Sequence, residues 1–181
     1  MLLWWLILIL MVLAGISAGG NGVFRQKRIG KDGKPFDIYK LRTMKMGSSS
    51  EDTVTIEGDH RLTSFGVFLR KYKLDELPQL WNVLKGDMSL VGPRPDVPGF
   101  ADQLSGRNRR ILELRPGITG PASLKFRDEE KTLATQSDPP AYNREVIWPQ
   151  KVKINVEYAD SHSFFGDVGY ILKSLIAGTK S

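Results

Sequence analysis

Residues 73–82 read KLDELPQLWN, a stretch that opens with the adjacent carboxylates Asp75 and Glu76. Leucine and tryptophan recur at helical spacing as far as Leu84, which predicts a helix from about Glu76 to Leu84. Asp75 then occupies the N-cap, and Pro78 lies in the first turn, where its missing N–H breaks no helical hydrogen bond. An N-cap aspartate stabilises a helix by about 1 kcal/mol, so helix capping alone explains the pair.

The composition narrows the chemistry that the chain can perform. Its 181 residues suffice for one domain with a substantial core. A formal net charge of +6 indicates an anionic partner: a phosphorylated substrate, an anionic lipid or a nucleic acid. Cysteine is absent, which excludes disulfides, thiol nucleophiles and thiolate metal sites. With only 2 histidines, any catalysis depends on carboxylates, lysines and arginines.

The N-terminus is predicted to anchor the chain in a membrane. No charged residue occurs among residues 1–24. About 18 apolar residues in a helix extend about 27 Å, close to the thickness of a bilayer's hydrocarbon core. We therefore expect a membrane-anchoring helix over residues 1–20 and a separate domain over 21–181. Arg25, Lys27 and Arg28 follow the apolar segment and place that domain on the cytoplasmic face by the positive-inside rule.

The central part of the chain predicts a hairpin and a helix. Residues 22–29 and 36–41 favour strands, and the Asp-Gly in the segment between them is typical of a hairpin turn. Residues 47–59 are rich in serine and acidic residues and predict a loop. Aromatic and leucine side chains over residues 65–72 mark one helical face that leads to Asp75. Glycines and prolines over residues 86–95 predict an irregular buried loop.

The C-terminal part predicts further helices. We expect helices over residues 104–114 and 142–158, the second interrupted at Pro149, and a loop over 128–140. Residues 164–176 form an amphipathic helical stripe that either packs in the core or inserts into a membrane surface. The expected fold class is α+β, mostly helical, with a β-hairpin and interfacial amphipathic helices after the N-terminal membrane helix.

Several motifs occur in an order that is more specific than any one of them. They are residues 23–30 (VFRQKRIG), 36–44 (FDIYKLRTM), 73–82 (KLDELPQLWN), 92–95 (GPRP) and 115–120 (RPGITG). From about residue 22 to the C-terminus, the chain resembles the bacterial sugar transferases, which are monotopic phosphoglycosyl transferases. Members of this family begin glycan assembly on a polyprenol phosphate in the bacterial inner (cytoplasmic) membrane.

The resemblance implies a covalent mechanism. Asp75 would attack the β-phosphate of a UDP-sugar, UMP would leave, and polyprenol phosphate would take the phosphosugar from the aspartate. Glu76 would hold Mg²⁺ together with Asp75, or accept a proton from the acceptor. Carboxylates beside phosphates repel one another, so a divalent cation and basic side chains are required. Lys40, Arg70 and Arg94 match the family's phosphate-contacting residues, although each can equally be a solvated surface charge.

Further expectations concern the nucleotide and the partners. Arg115, Gly117 and Thr119 are possible nucleotide-binding residues, although turn formation alone explains their motif. UDP-sugar, polyprenol phosphate and membrane lipid are the expected partners. Downstream glycosyltransferases are possible partners, and nucleic acid is not expected because no array of basic and aromatic residues is apparent.

The membrane topology and the activity each have alternatives. Relatives carry a helix-breaking Ser-Pro that makes the membrane helix re-enter, whereas no proline precedes Pro35 here. A straight span with its N-terminus outside is therefore expected, and a re-entrant helix is the alternative. A non-catalytic, membrane-tethered basic protein that binds anionic lipid or nucleic acid is the competing function, and a metal-dependent hydrolase of nucleotide sugars is a third.

Overall fold

The computed structural model describes residues 4–48 and 54–178 of the chain. Residues 1–3 of the predicted anchor, 49–53 of the predicted loop and 179–181 of the predicted domain lie outside this description. The fold mixes helices with two small sheets and is mostly helical, as predicted. The helices are α1 Trp4–Ala18, α2 Ser64–Lys71, α3 Gln79–Lys85, α4 Pro121–Lys125, α5 Glu129–Ala134, α6 Pro139–Tyr142, α7 Trp148–Ser161 and α8 Phe164–Gly178. The strands are β1 Val23–Ile29, β2 Pro35–Leu41, β3 Ser89–Val91 and β4 Gly117–Thr119.

The predicted hairpin is confirmed. β1 and β2 pair antiparallel from Val23 opposite Leu41 to Ile29 opposite Pro35. The turn between them requires left-handed backbone at Asp32 (φ 59°) and Gly33 (φ 77°), which an aspartate tolerates and a glycine adopts freely. The local turn chemistry therefore sets the register of β2, the strand that carries Lys40.

The sequence predicts an irregular loop over residues 86–95. This prediction is wrong for residues 89–91, which form strand β3. β3 pairs parallel with β4, and the two backbones come unusually close. A Cβ on Gly117 would lie 2.1 Å from the backbone nitrogen of Gly92, so only glycine fits at position 117. This close pairing fixes the start of the segment that carries Arg94.

In the C-terminal half one prediction is confirmed and two are wrong. The helix expected over 104–114 forms as a 3₁₀ helix, Gly106–Glu113, whereas the loop expected over 128–140 contains α5. Pro149 does not interrupt its helix, because it lies in the first turn of α7, where a proline is tolerated. The irregularity comes earlier, in the π-helical turn Asn143–Ile147.

Two apolar clusters hold the fold together. One joins α1 to α2 and β2 through the buried side chains Leu10, Ala14, Leu41 and Leu69. The other joins β1 to α7 and the Gly106–Glu113 helix through Ile29, Ala101, Ile111, Leu112, Val152 and Val156. The first cluster positions the end of α2, which leads directly to Asp75.

Large apolar surfaces stay outside these clusters. Along α8 the apolar stripe is mostly exposed, reaching 85% exposure at Phe165, so the core-packing alternative for this stripe is wrong. On α1, Ile7 and Leu10 are buried whereas Trp5, Leu8 and Val12 are exposed. Within residues 4–48 and 54–178, no helix combines the length and apolar character that a membrane crossing needs. The predicted N-terminal membrane helix is therefore not confirmed.

Candidate active site

Asp75 and Glu76 lie in a short 3₁₀ helix, Leu74–Glu76, and not at an α-helical N-cap. The predicted helix over residues 76–84 begins at Gln79, with Pro78 at its N-cap. Pro78 has no N–H to donate to the Leu74 carbonyl, which accepts instead from the Leu77 N–H at 3.2 Å. Both carboxylates are buried, Asp75 at 7% exposure and Glu76 at 9%.

α3 turns its polar side inward and its apolar side outward. Gln79 is 1% exposed and Asn82 is fully buried, whereas Trp81 is 49% and Leu84 69% exposed. Of the apolar residues whose periodicity predicts this helix, Leu77 packs against the first apolar cluster, whereas Trp81 and Leu84 mark an exposed surface. The buried side consists of polar residues at positions 75, 76, 79 and 82, which we call the polar stripe.

Asn82 attaches α3 to the exposed edge of β2. Its Nδ2 donates to the Asp37 carbonyl at 2.7 Å, and the Tyr39 N–H donates to its Oδ1 at 3.2 Å. The side-chain amide thus replaces the neighbouring strand that β2 lacks on this edge. Since Lys40 follows Tyr39 in β2, this contact holds Lys40 beside the adjacent carboxylates Asp75 and Glu76, which we call the dyad.

Glu76 lies between two cations. Arg94 Nη2 donates to Glu76 Oε1, Arg94 Nη1 lies 3.4 Å from Oε2, and Lys40 Nζ lies 3.6 Å from Oε1. Burial alone raises the pKa of Glu76, but the charges of Arg94 and Lys40 outweigh it and hold the pKa well below its usual range. Burial, with Arg94 nearby, lowers the pKa of Lys40 to about 8. The charge of Glu76 in turn raises the pKa of Arg94.

Asp75 differs from Glu76 in its surroundings. Among the residues that the structure describes, no group forms a hydrogen bond with its buried Oδ1. Burial, reinforced by the neighbouring charge of Glu76, raises the pKa of Asp75 above its ordinary value. A buried carboxylate oxygen without a donor is an incompletely solvated and therefore reactive base or nucleophile.

Arg70 is bonded to side chains other than those of Asp75 and Glu76. Its Nε donates to Thr43 Oγ1 at 3.1 Å and its Nη1 to Glu130 Oε1 at 2.9 Å. Its positive charge still lowers the pKa of Asp75, against the larger effect of burial. Of the three predicted phosphate-contacting residues, the structure thus brings Lys40 and Arg94 into contact with Glu76, whereas Arg70 is tied to other side chains.

The three possible nucleotide-binding residues lie on or beside β4. Arg115 is exposed, Gly117 makes the close backbone approach described above, and Thr119 Oγ1 lies 2.5 Å from Ser174 Oγ on α8. Packing explains Gly117 and Thr119 without a ligand. Their nucleotide-binding role stays a prediction.

A half-buried arginine, Arg28, supports the segment that carries Arg94. Arg28 Nη1 donates to the Pro95 carbonyl at 3.2 Å, and Nη2 donates to Gln26 Oε1 at 2.6 Å. Burial lowers the pKa of Arg28 to about 10. Asp96, the next residue of the segment, accepts from Trp148 Nε1 at 3.2 Å, and burial raises its pKa. These contacts link the segment to β1 and α7.

The residues at the dyad suit Mg²⁺ in part. Across the described chain, no cluster of three or more acidic or histidine side chains is arranged to hold a metal ion. Mg²⁺ bound to nucleotide phosphates commonly needs only one or two carboxylates and retains waters. Asp75 Oδ1 is available for such a role. The oxygens of Glu76 are engaged by Arg94, so Glu76 could join only after giving up that pairing.

Sequence reasoning missed the inward-facing amides. Gln79 and Asn82 are spaced three and six residues from Glu76, on the side opposite the apolar residues of α3. This polar periodicity is visible in the sequence. It predicts a buried functional face only once the apolar face is known to point outward.

The whole chain, residues 1–181, matches the family described as bacterial sugar transferase, and the chain belongs to that family. It is 37% identical over 163 residues to the sugar transferase EpsL of Bacillus subtilis, covering 90% of this chain and 72% of that one. It is 34% identical over 175 residues to a UDP-glucose:undecaprenyl-phosphate glucose-1-phosphate transferase of Caulobacter vibrioides, covering 94% of this chain and 61% of the relative.

A third relative is a UDP-N-acetylgalactosamine-undecaprenyl-phosphate N-acetylgalactosaminephosphotransferase of Aeromonas hydrophila. It is 44% identical over 115 residues, which are 60% of this chain and 27% of the relative. The chain therefore spans between about a quarter and three quarters of the length of these relatives.

Proposed function

We propose that this protein transfers a phosphosugar from a UDP-sugar to undecaprenyl phosphate, or a similar polyprenol phosphate, and releases UMP. The observation that carries the proposal is the dyad itself. Asp75 presents a buried oxygen that has no hydrogen-bond partner among the described residues. The adjacent carboxylate of Glu76 forms ion pairs with Arg94 and Lys40. The names of two relatives, which specify UDP-sugars and undecaprenyl phosphate, support the substrate class.

In the first step, an Asp75 oxygen forms a bond to the β-phosphorus of the UDP-sugar. The bond from that phosphorus to the bridging oxygen breaks, and UMP leaves with the electron pair. In the second step, a phosphate oxygen of the polyprenol phosphate attacks the same phosphorus. The bond to Asp75 then breaks and restores the carboxylate.

Glu76 acts in this scheme as the anchor of the phosphate-binding cations. Its lowered pKa makes it a weak base. The acceptor needs little help from a base, because a phosphate monoester with a second pKa near 6 is mostly a dianion at neutral pH. Arg94 keeps donors beyond those spent on Glu76, and its side chain is 41% exposed and thus open to the diphosphate.

Mg²⁺ belongs to the proposal as a cofactor. Asp75 together with the substrate phosphates would hold it, and when bound it neutralises charge on the diphosphate and the departing UMP. Lys40 and Arg94 neutralise charge from the protein side.

The exposed apolar faces suit a protein that works at the inner membrane on a lipid substrate. Trp81 and Leu84 of α3 and Phe165 of α8 are exposed, as are Trp5 and Leu8 of α1. We place these faces against the cytoplasmic leaflet, where a polyprenol phosphate headgroup would reach the polar side of α3.

The test uses the full chain in detergent, with Mg²⁺ and a panel of UDP-sugars. Sustained release of UMP only with excess undecaprenyl phosphate, together with a phosphosugar lipid product, is the expected result. Sustained release without the acceptor would indicate a nucleotide-sugar hydrolase. No release in any combination would favour the non-catalytic, lipid-binding alternative.

A further inference from the structure

Two members of the polar stripe are paired, and each of the other two has a buried atom without a partner. Glu76 pairs with cations, and Asn82 bonds to the edge of β2. Asp75 Oδ1 and Gln79 Nε2 are buried and have no hydrogen-bond partner within residues 4–48 and 54–178. The first is an acceptor and the second a donor.

Asp75 and Gln79 lie on one right-handed stretch of backbone. Leu77 (φ −54°, ψ −37°) and Pro78 (φ −62°, ψ −18°) are both right-handed helical, so the 3₁₀ turn at Leu74–Glu76 continues into α3. The N–H groups of Leu77 and Leu80 bond to carbonyls three residues back, a geometry in which side chains three apart line up. Gln79 is therefore in line with Glu76, whose cations are proposed to bind the phosphates, and lies about one turn beyond Asp75.

A buried amide donor without an acceptor opposes folding, so packing does not explain glutamine at position 79. Methionine has a similar length and would fill the same space without that cost. An acceptor that arrives with the substrate does explain it. We infer that Gln79 is a further catalytic residue, whose Nε2 donates a hydrogen bond to a phosphoryl oxygen while Asp75 attacks the phosphorus.

This inference rests on the proposed function. As the bond from Asp75 to phosphorus forms, the non-bridging phosphoryl oxygens come within about 3 Å of the attacking oxygen and carry much of the charge. A donor already placed there stabilises that charge without having to reorganise. Gln79 supplies only a hydrogen bond. No proton is transferred, and the bonds made and broken are those of the first step.

The test measures the first step alone in the Gln79→Met variant. The full chain is mixed with Mg²⁺ and UDP-glucose, UDP-galactose or UDP-N-acetylgalactosamine, whichever gives the wild type a burst of UMP without acceptor. Loss of one hydrogen bond to a charged group should slow the burst about 10- to 150-fold. The KM for the UDP-sugar should change less than about threefold, because the contact forms mainly in the transition state. The Tm should stay the same or rise.

A matched control is Asn155→Leu. Asn155 is a buried residue of α7 whose Oδ1 also has no hydrogen-bond partner in the described chain, and α7 packs mainly against the Gly106–Glu113 helix and α4. This variant should keep the wild-type burst. If Gln79→Met lowers the Tm, Gln79→Glu takes its place, since it keeps the shape but presents acceptors to the phosphate. Its burst should slow at least as much.

A burst within about twofold of wild type in a folded Gln79 variant would overturn the inference, since the amide would then bind only water. The proposed function would survive that result, because the wild-type burst would still be present. Absence of a wild-type burst with all three UDP-sugars would instead refute the proposed function and remove this inference with it.

Discussion

Replacing Asp75 by asparagine should abolish transfer and, at the same time, stabilise the fold. Burial and the charge of Glu76 raise the pKa of Asp75. Between its ordinary and its raised pKa, the folded state binds more protons than the unfolded state, so stability falls as the pH rises through this window. The ionised form of Asp75 therefore opposes folding, and asparagine removes that cost.

The magnitude follows from the burial of the Asp75 carboxylate. A buried polar group without a partner costs about 1–3 kcal/mol, and more when it is charged, so a gain of about 1–2 kcal/mol in the free energy of unfolding is expected when the charge is removed. For a chain of this size, that gain corresponds to a rise in Tm of about 2–8 °C. Activity should fall at least about a thousand-fold, because the attacking oxygen is replaced by an amide.

Asp59→Asn is the matched control. Asp59 is also a buried aspartate, but it has hydrogen-bond partners and its pKa is lowered. Asp59 accepts from Arg61 Nε at 2.9 Å and from the Arg61 N–H at 2.9 Å. The hydrogen bond from the Arg61 side chain lowers the pKa of Asp59. Its stabilising contribution is therefore present above its unfolded pKa, and asparagine should lower the free energy of unfolding by about 1–3 kcal/mol.

The assays are thermal unfolding at pH 7, UMP release, and intact mass after rapid quench. A phosphosugar adduct should map to Asp75 in the wild type and be absent from Asp75→Asn. Transfer within a few-fold of wild type in the variant would refute the nucleophile assignment. A drop in Tm for Asp75→Asn comparable to that of Asp59→Asn would refute the argument from burial.

Three further predictions concern the cations and the outward face. Arg94→Lys should lower kcat/KM about 30- to 150-fold, because lysine cannot donate two hydrogen bonds to one phosphate as arginine does. Lys31→Ala in the hairpin turn should leave kcat/KM nearly unchanged. Equal effects of the two substitutions would indicate that only the overall positive charge matters. The kcat/KM should decline above pH 8 as Lys40, whose pKa is about 8, loses its proton, and Lys40→Arg should move that decline to higher pH. Leu84→Ser should weaken binding to vesicles of anionic lipid in a flotation assay without lowering Tm, because Leu84 is already 69% exposed; an unchanged vesicle-bound fraction would argue against α3 facing the membrane.

Local chemistry was sufficient for part of this structure. The Asp-Gly turn predicts the hairpin because only a few residues tolerate the left-handed backbone that it needs. The order of the motifs indicates the family. The absence of cysteine confines the chemistry to carboxylates and basic side chains. Each of these properties depends on neighbouring residues or on composition, and neither changes with packing.

The apolar pattern of the sequence was not sufficient to place the helix boundaries around the dyad. The sequence predicts one helix over residues 76–84 with Asp75 as its cap. The structure instead has a 3₁₀ turn at Leu74–Glu76 followed by α3 from Gln79. Both the N-cap assigned to Asp75 and the first-turn position assigned to Pro78 are wrong, because a 3₁₀ turn precedes α3 and Pro78 is the N-cap of α3. The left-handed Lys73 that starts this turn has no sequence signal.

The site itself was decided by tertiary structure. Periodicity shows that α3 has an apolar face but not what covers it, and here the apolar face points outward while Gln79 and Asn82 are buried. Arg94 and Lys40 reach Glu76 only because β3 and β2 bring them there, while Arg70 is drawn to Glu130 on α5. The sequence by itself determined which charged groups are available. The fold decided which of them are paired and which is left free, because burial and distance set both the pKa and the reactivity of a carboxylate.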